Sequence, residues 1–339
     1  MNYIVKDENA IYYECGYSSD NSLFLKLGSE AFFITDSRYA IEAEELVQEA
    51  MVIIDGDLYK QANELIKKSK IKKLIFDPKE WTLFHFSLLS NGLKIKFKKV
   101  PDFSHLKRVV KRSEEVLLLQ KAVKYGAKAF DRFAKLVKEN GFKQDEHTLN
   151  FMAKYALSNI GKYELSFDPI VAINGNASKP HALPSNKKLK TNNLLLVDAG
   201  LKYKRYCSDR TRTVSATKDF EFGLNQSFKS KKIQKAYDLV LKAHDNAIIK
   251  AHSGMKAKKI DALTRDIIEK GGMGKYYVHS TGHGVGLDIH EMPYISGRSE
   301  MRVEDNMVYT IEPGIYIPNE FGIRIEDMVV MKNGRVEVL

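Results

Sequence analysis

Apolar and polar positions divide the first part of the chain into short strands and amphipathic helices. Ser22–Leu27 and Ala31–Thr35 flank a turn that contains Gly28, a pattern that predicts a β-hairpin. Further periodic segments predict helices at residues 39–49 and 57–68 and strands at residues 74–76 and 93–100. The amino-terminal part of the chain is therefore expected to form an α/β unit.

Residues 101–112, PDFSHLKRVVKR, predict a domain boundary, because a proline and a charged stretch precede a long helical pattern. Ser113 is expected to cap this helix, and Gly141 is expected to end it. Further helices are predicted at 145–159, 231–252 and 261–270, and strands at 194–201, 206–214, 308–317 and 322–331. We therefore predict a two-domain α/β protein, with an α/β domain over residues 1–112 and an α+β domain with a mostly antiparallel sheet over residues 113–339.

Carboxylates inside apolar strands are the most informative chemical feature of the second domain. Asp198 ends the run NLLLV, where a lone ionised group would be costly to bury, and Asp209 lies in YCSDRTRT. If these strands form a hairpin that turns near Tyr203 and Lys204, Asp198 and Asp209 face each other directly. The pattern thus predicts an opposed pair of acids.

A second hairpin near the carboxyl end repeats this arrangement. A turn over residues 318–321 sets Glu312 of YTIEPG opposite Glu326 of GIRIED, and Gly314 opposite Arg324. Arg324 then lies beside Glu326, since side chains two positions apart share a face. Two opposed pairs of acids are unfavourable unless cations neutralise them, because neighbouring carboxylates raise each other's pKa.

A histidine- and glycine-rich segment, HSTGHGVGLDIHE, completes the constellation at His279, His283 and His290, and His181 lies upstream in KPHALP. The glycines predict close backbone approach, and the imidazoles predict a shared site. One imidazole with four carboxylates suits two divalent cations; hard oxygen ligands favour manganese, with zinc, cobalt or iron as alternatives. No phosphate-binding glycine pattern is present in this segment.

Composition limits the other classes of function. The net charge of +11 comes from lysines spread over helix faces and loop tips, without arginine clusters or interleaved aromatics, so a nucleic-acid partner is not expected. No apolar run approaches the length of a membrane span, and the start of the chain does not resemble a signal peptide. Cys15 and Cys207 are the only cysteines and form no CxxC pair, which fits a reducing cytoplasm.

These motifs resemble those of the metal-dependent pita-bread peptidases: aminopeptidase P, prolidase and, more distantly, methionine aminopeptidase. The segments LLLVDAG, YCSDRTRT, HSTGHGVGLDIHEMP, IEPGIY and FGIRIED occur in the order found in that family, and FFITDSRYAIEA is similar to its creatinase-type amino-terminal domain. The resemblance implies a creatinase-like domain followed by a pita-bread catalytic domain with a curved sheet. It also implies a homo-oligomer, a dimer or a tetramer.

Carried over by position, the resemblance implies a metal-ligand set of Asp198, Asp209, His283, Glu312 and Glu326. Asp209 and Glu326 would bridge two ions, Asp198 would serve one ion, and His283 with Glu312 would serve the other. Arg324 is similar to the arginine of aminopeptidase P and prolidase. Arg210 departs from the family, which usually has an apolar residue there, and it is expected to point away from the ions.

The reaction that the resemblance implies is hydrolysis of the peptide bond that precedes a proline, with a metal-activated water as the nucleophile. Glu312 would shuttle a proton to the leaving nitrogen. His181 and His290 would donate hydrogen bonds to the developing oxyanion. His279 and Arg324 would orient the proline side of the substrate.

Substrate length stays open between two readings. GHGVGLDIHE favours an Xaa-Pro aminopeptidase acting on peptides with proline in the second position, and the alternative is an Xaa-Pro dipeptidase, a prolidase, which takes only dipeptides. A more remote alternative is a non-enzymatic binding protein, which the intact carboxylate set disfavours. The same carboxylates disfavour metal-free creatine hydrolysis.

Overall fold

The computed structural model describes residues 1–339, and the chain divides into two units, Met1–Arg108 and Val109–Leu339. Each unit has its own hydrophobic core. None of the helices combines the length and the apolar character that crossing a bilayer requires. Cys15 and Cys207 are both buried free thiols.

The first unit is a mixed sheet with helices on both faces. Its strands are β1 (Tyr3–Val5), β2 (Ser22–Leu27), β3 (Glu30–Thr35), β4 (Met51–Ile54), β5 (Lys73–Phe76) and β6 (Lys96–Lys99), and its helices are α1 (Glu8–Cys15), α2 (Ala40–Leu46), α3 (Leu58–Ser69), α4 (Leu83–Ser90) and α5 (Phe103–Arg108). The strand order is β4-β3-β2-β1-β5-β6. The predicted hairpin is confirmed as β2 and β3.

Period-two alternation explains why this sheet has two apolar faces. Leu23 and Leu25 of β2 pack with α3, whereas Phe24, between them, packs with α1 on the other side. The predicted helix over residues 39–49 ends earlier, at Leu46, because the next residues lead into β4, which pairs in parallel with β3.

The second unit packs helices against antiparallel sheets. Its strands are β7 (Ile170–Ile173), β8 (Asn193–Asp198), β9 (Lys202–Tyr203), β10 (Tyr206–Cys207), β11 (Thr211–Ala216), β12 (Gly282–Gly284), β13 (Glu291–Ile295), β14 (Val308–Ile311), β15 (Gly314–Ile317), β16 (Phe321–Arg324), β17 (Asp327–Lys332) and β18 (Arg335–Val338). Its helices are α6 (Ser113–Leu136), α7 (Glu146–Ser158), α8 (Lys231–Lys250) and α9 (Ala257–Lys270). The larger sheets have the orders β11-β8-β7 and β13-β12-β14-β17-β18.

Helix α6 begins at Ser113, so the capping position belongs to Arg112 and the expectation of a Ser113 cap is wrong by one residue. The backbone N–H of Arg112 donates to the side chain of Glu115 at 2.9 Å, which satisfies one of the free amides at the helix start.

The first acid-bearing hairpin has a different register from the predicted one. Asp198 pairs with Thr211, not with Asp209, because the turn between β9 and β10 is formed by Lys204 and Arg205, one position later than expected. Both turn residues have positive φ, 48° and 68°, as a two-residue hairpin turn of type I′ requires. Asp209 therefore lies diagonally from Asp198, still on the same face.

The second acid-bearing hairpin has the predicted register. Gly314 pairs with Arg324, and Ile311 pairs with Asp327. Each predicted long strand is interrupted, however, so that β14 and β17 belong to one sheet and β15 and β16 to another. Glu312 and Glu326 occupy these interruptions.

Candidate active site

Four carboxylates lie where strands end or break in the second unit. Asp198 is the last residue of β8, and Asp209 lies between β10 and β11. Glu312 follows β14 and Glu326 precedes β17. The four acids thus occupy the ends and interruptions of the strands in the two acid-bearing hairpins.

Close backbone approach brings His283 to the same place. Strand β12 lies between β13 and β14, with a bulge between Gly282 and Gly284. A Cβ atom on Gly282 would lie 2.0 Å from the carbonyl oxygen of Thr310, so only glycine fits. The Thr310 hydroxyl also accepts a hydrogen bond from the backbone N–H of His283 at 3.1 Å.

Asp209, His283 and Glu326 bring one potential ligand atom each within 4.8 Å of one another, and all three residues are buried. Nε2 of His283 also lies 3.5 Å from Glu312 Oε1. The structure thus brings His283 together with three of the four acids.

The proton of the His283 ring has a defined place. Nδ1 lies 3.1 Å from the carbonyl oxygen of Gly284, to which only a protonated Nδ1 can donate. Burial lowers the pKa of His283, which favours the neutral ring. Nε2 is therefore an acceptor that faces the carboxylates, the arrangement in which histidine binds a metal ion.

The acids are crowded and poorly solvated. Burial, followed by the charge of Glu326, raises the pKa of Asp209 well above its ordinary value, and burial together with Glu312 and Asp198 does the same for Glu326. Burial also raises the pKa of Glu312. Oδ1 of Asp198 is buried without a hydrogen-bond partner. An orphaned carboxylate oxygen beside mutually repelling acids fits a site for divalent cations.

Arg324 connects the two hairpins through its guanidinium group. Nη2 donates to Asp198 Oδ2, and Nε donates at 2.9 Å to the hydroxyl of Thr211. That hydroxyl donates in turn to Glu326 Oε2 at 2.6 Å. Nη1 donates at 2.8 Å to the hydroxyl of Tyr316. Arg324 therefore fixes both Asp198 and Glu326.

His279 is held by Tyr316. Its Nδ1 lies 2.7 Å from the carbonyl oxygen of Ser280 and its Nε2 lies 2.9 Å from the Tyr316 hydroxyl. Since Nδ1 must carry a proton to donate to that carbonyl, Nε2 is an acceptor and the Tyr316 hydroxyl donates to it. Burial lowers the pKa of His279.

All nine residues singled out in the sequence line one cavity of about 710 Å³: Asp198, Asp209, Glu312, Glu326, Arg324, His181, His279, His283 and His290. The ring of His290 packs edge-on against that of His283, with centroids 4.3 Å apart. Burial lowers the pKa of His290 as well. The cavity thus combines four acids with the rings of His279, His283 and His290, whose lowered pKa values favour the neutral imidazole.

Comparison with known proteins assigns the family. Metallopeptidase family M24 matches residues 118–333, and the creatinase/prolidase N-terminal domain matches residues 2–112. The chain belongs to metallopeptidase family M24. It is therefore a metallopeptidase with a creatinase-type amino-terminal domain and a pita-bread catalytic domain, and the predicted fold class is confirmed.

Relatives of this M24 protein extend over nearly its whole length. An Xaa-Pro dipeptidase of Pyrococcus furiosus is 31% identical over 339 residues, which cover 98% of this chain and 91% of the relative. A solved structure described as an Xaa-Pro dipeptidase from Bacillus anthracis superposes with a TM-score of 0.90, at 28% identity, over 99% of this chain and 92% of the other. An X-Pro aminopeptidase from Thermotoga maritima gives a TM-score of 0.88 at 29% identity, over 99% and 94%.

Sequence reasoning missed Tyr316 and Thr211 in this M24 site. Both have detectable signals, because Tyr316 lies two positions after Gly314 on the face that Glu312 occupies, and Thr211 lies two positions after Asp209. His147, which the sequence does not mark as a site residue, lines the cavity together with Asn150 of the same helix, α7. No local pattern marks that helix as part of the site.

Arg210 lines a different cavity, together with Arg212 and His244. Its guanidinium carbon lies 5.4 Å from the ring centroid of Phe130. Asp209 lines both cavities.

Proposed function

We propose that this M24 metallopeptidase is an Xaa-Pro dipeptidase. The observation that carries the proposal is the relation to two proteins described as Xaa-Pro dipeptidases, one by sequence and one by structure, over more than nine-tenths of each chain. These relatives favour the Xaa-Pro dipeptidase, the alternative in the sequence analysis, over the Xaa-Pro aminopeptidase that the segment GHGVGLDIHE favoured.

The proposed metal ligands are Asp198, Asp209, His283, Glu312 and Glu326, which together would hold two divalent cations. Mn²⁺ is the proposed metal because four of the five ligands are carboxylates. When bound, the cations would supply Lewis-acid polarisation of the peptide carbonyl and a water of lowered pKa. The orphaned Oδ1 of Asp198 and the acceptor Nε2 of His283 support this ligand set.

The remaining groups bind the substrate and move its proton. Glu312, which lines the cavity, would accept a proton and return it to the leaving proline nitrogen. His181 and His290 are exposed to the cavity and would donate hydrogen bonds to the carbonyl oxygen as negative charge develops on it.

His279 and Arg324 would orient the proline side of the substrate. The hydrogen bonds of Arg324 to Thr211, Tyr316, Pro180 and Asp198 engage four of its five N–H groups. One Nη2 N–H remains for a substrate carboxylate, so we propose that Arg324 acts mainly by holding Asp198 in place.

An Xaa-Pro aminopeptidase is the second candidate. The X-Pro aminopeptidase from Thermotoga maritima superposes almost as well as the dipeptidase, with a TM-score of 0.88 against 0.90. The cavity also extends as far as Lys154 of α7 and Asp168, which leaves a charged rim that a longer peptide could contact.

A peptide panel separates the candidates. The Mn²⁺-loaded protein is assayed on Gly-Pro, on Arg-Pro-Pro and on Gly-Ala, each with and without chelator. A dipeptidase releases proline from Gly-Pro and leaves Arg-Pro-Pro intact, whereas an aminopeptidase releases arginine from the tripeptide. Activity on Gly-Ala equal to that on Gly-Pro, or activity that survives removal of the metal, contradicts the proposal.

Assembly is proposed from the resemblance to this group of peptidases, and location from the two unpaired cysteines, which fit a reducing compartment. We propose a homo-oligomer located in the cytoplasm. Size-exclusion chromatography with light scattering tests the first, and fractionation of cells that produce the protein tests the second.

A further inference from the structure

A buried ion pair joins two segments that are 180 residues apart in the catalytic unit. Nζ of Lys111 donates to Oε1 of Glu291, and each of the two side chains is 1% exposed. Neither residue lines the active-site cavity. Glu291, however, directly follows His290 in the chain.

Lys111 is fixed by its backbone to the strand that leads to Glu312. Its N–H donates to the carbonyl oxygen of Asn306 at 2.9 Å, and Val110 forms a β-bridge with Met307, immediately before β14. The ammonium group is therefore presented from an anchored stretch of backbone.

Glu291 reaches the loop that connects the two neighbouring histidines. It pairs with Gly284 at the start of β13, and its carboxylate lies directly against the backbone of Gly286. A Cβ atom on Gly286 would lie 2.4 Å from Oε1 of Glu291, so a side chain at position 286 would displace the carboxylate. The carbonyl oxygen of Gly286 also accepts from the N–H of Cys207 at 2.8 Å, two residues before Asp209.

The ring of His290 depends on this loop for its orientation. The ring makes no side-chain hydrogen bond, and its aromatic partner is His283, edge-on at 4.3 Å. A group that must donate to a developing oxyanion has to be held within about half an ångström, because larger displacements remove most of its effect. The position of the His290 backbone must therefore supply this precision.

We propose that Lys111 and Glu291 are positioning residues that set the orientation of His290 for catalysis, an inference that rests on the proposed peptidase function. A buried ion pair adds little stability over an apolar pair of the same size, but it specifies where its two ends lie. Here one end is the anchored backbone before β14, and the other is the loop that carries His290.

The test replaces the pair by an apolar one, in the variant K111M/E291M. We expect a folded protein with unchanged metal content, a kcat for Gly-Pro lowered between about 10-fold and 100-fold, and a KM within about twofold of the wild type. The matched control is K332M/E337M, which removes an exposed ion pair from the β17–β18 hairpin and should leave both constants unchanged. The variant K111R, which keeps a cation opposite Glu291, should retain most of the wild-type kcat.

A second measurement does not depend on turnover. The ring nitrogens of His290 are followed by NMR in the Zn²⁺-loaded protein labelled with ¹⁵N-histidine. In K111M/E291M the His290 signals should broaden or double, whereas those of His181 should not change. If the wild type cleaves no Xaa-Pro peptide, the proposed function fails, and this spectrum still decides the positioning role.

Wild-type kcat together with unchanged His290 signals in K111M/E291M overturns the inference. If that variant does not fold, K111M/E291Q takes its place, because it keeps the shape of the side chain at position 291 but removes the contact with Lys111. A K111M/E291Q protein with wild-type kcat and an unchanged His290 spectrum overturns the inference equally.

Discussion

Individual hydrogen bonds decide what each imidazole of this site can do. His283 donates from Nδ1 to a backbone carbonyl and so presents Nε2 to the carboxylates, whereas His279 accepts at Nε2 from Tyr316. His290 makes neither kind of bond through its ring. Thus His283 is arranged as a metal ligand, His279 is held by a hydrogen bond from Tyr316, and His290 faces the cavity without a hydrogen bond to its ring. The sequence alone does not show this difference.

Replacement of His290 should separate catalysis from metal binding. We expect His290→Ala to retain the bound metal and to lower kcat by about 10²–10³, the usual effect of removing a donor to a developing oxyanion. Metal analysis alongside steady-state kinetics on Gly-Pro checks this. The control is His252→Ala, which replaces an exposed histidine outside the cavity and should change neither the metal content nor kcat. Loss of metal in His290→Ala would instead assign His290 to the ligand shell.

Hairpin geometry shows where sequence reasoning at the level of elements succeeds and where it fails. The register of the second acid-bearing hairpin follows from the positions of its acids and its turn, and it was predicted correctly. The register of the first was not, because Lys204 and Arg205 adopt positive φ without the Asn-Gly pattern that normally marks such a turn. Long-range contacts such as Lys111–Glu291 have no local signal at all.

Helix α9 supports the histidine segment through Asp261. Its buried carboxylate accepts from the N–H and hydroxyl of Thr281, at 3.1 and 2.8 Å, and from Arg265. The carbonyl oxygen of Thr281 in turn accepts from the N–H of Glu312 at 2.8 Å. One carboxylate on a helix therefore helps to place a candidate metal ligand.

Asp261→Asn should lower the free energy of unfolding by about 1–3 kcal/mol, because the amide nitrogen cannot accept and Arg265 loses its charged partner. Urea denaturation of the metal-loaded protein measures this change. Asp266→Asn, at an exposed position of the same helix, is the matched control and should change stability little. Equal effects of the two substitutions would show that Asp261 has no special part.

At the scale of the whole molecule, each unit contains acids whose pKa is raised by their surroundings. In the amino-terminal unit, burial raises the pKa of Glu80 to about 7, although its carboxylate accepts from the backbone N–H groups of Lys6 and Asp7. The folded unit therefore favours the protonated acid. The stability that Glu80 contributes is complete below its unfolded pKa of 4.5 and is lost as the pH rises toward 7.

Glu80→Gln, which stays neutral, should therefore stabilise the amino-terminal unit at pH 8, by as much as about 3 kcal/mol at 1.4 kcal/mol per pKa unit, and should have little effect at pH 4. Denaturant unfolding at the two pH values measures the difference. Glu45→Gln, at an exposed position of α2, should leave the free energy of unfolding unchanged at both pH values. A Glu80→Gln protein less stable than the wild type at pH 8 would show that the ionised carboxylate is favoured in the folded unit.

The acids of the catalytic unit should also make its stability depend on pH, and added divalent cations should change that dependence. The raised pKa values of Asp209, Glu312 and Glu326 mean that the metal-free protein loses stability as the pH rises, since these acids must ionise beside one another. Divalent cations relieve this repulsion and bind the ionised acids best. Mn²⁺ at about 100 times its dissociation constant at pH 8 should therefore raise the free energy of unfolding by about 2.7 kcal/mol at that pH. The same Mn²⁺ concentration should raise it clearly less at pH 5. Thermal unfolding of chelator-treated protein, with and without Mn²⁺, measures both values.

Asp209→Asn should abolish both the stabilisation by Mn²⁺ and turnover. Stabilisation by Mn²⁺ that does not depend on pH, or that persists in Asp209→Asn, would contradict the proposed ligand set.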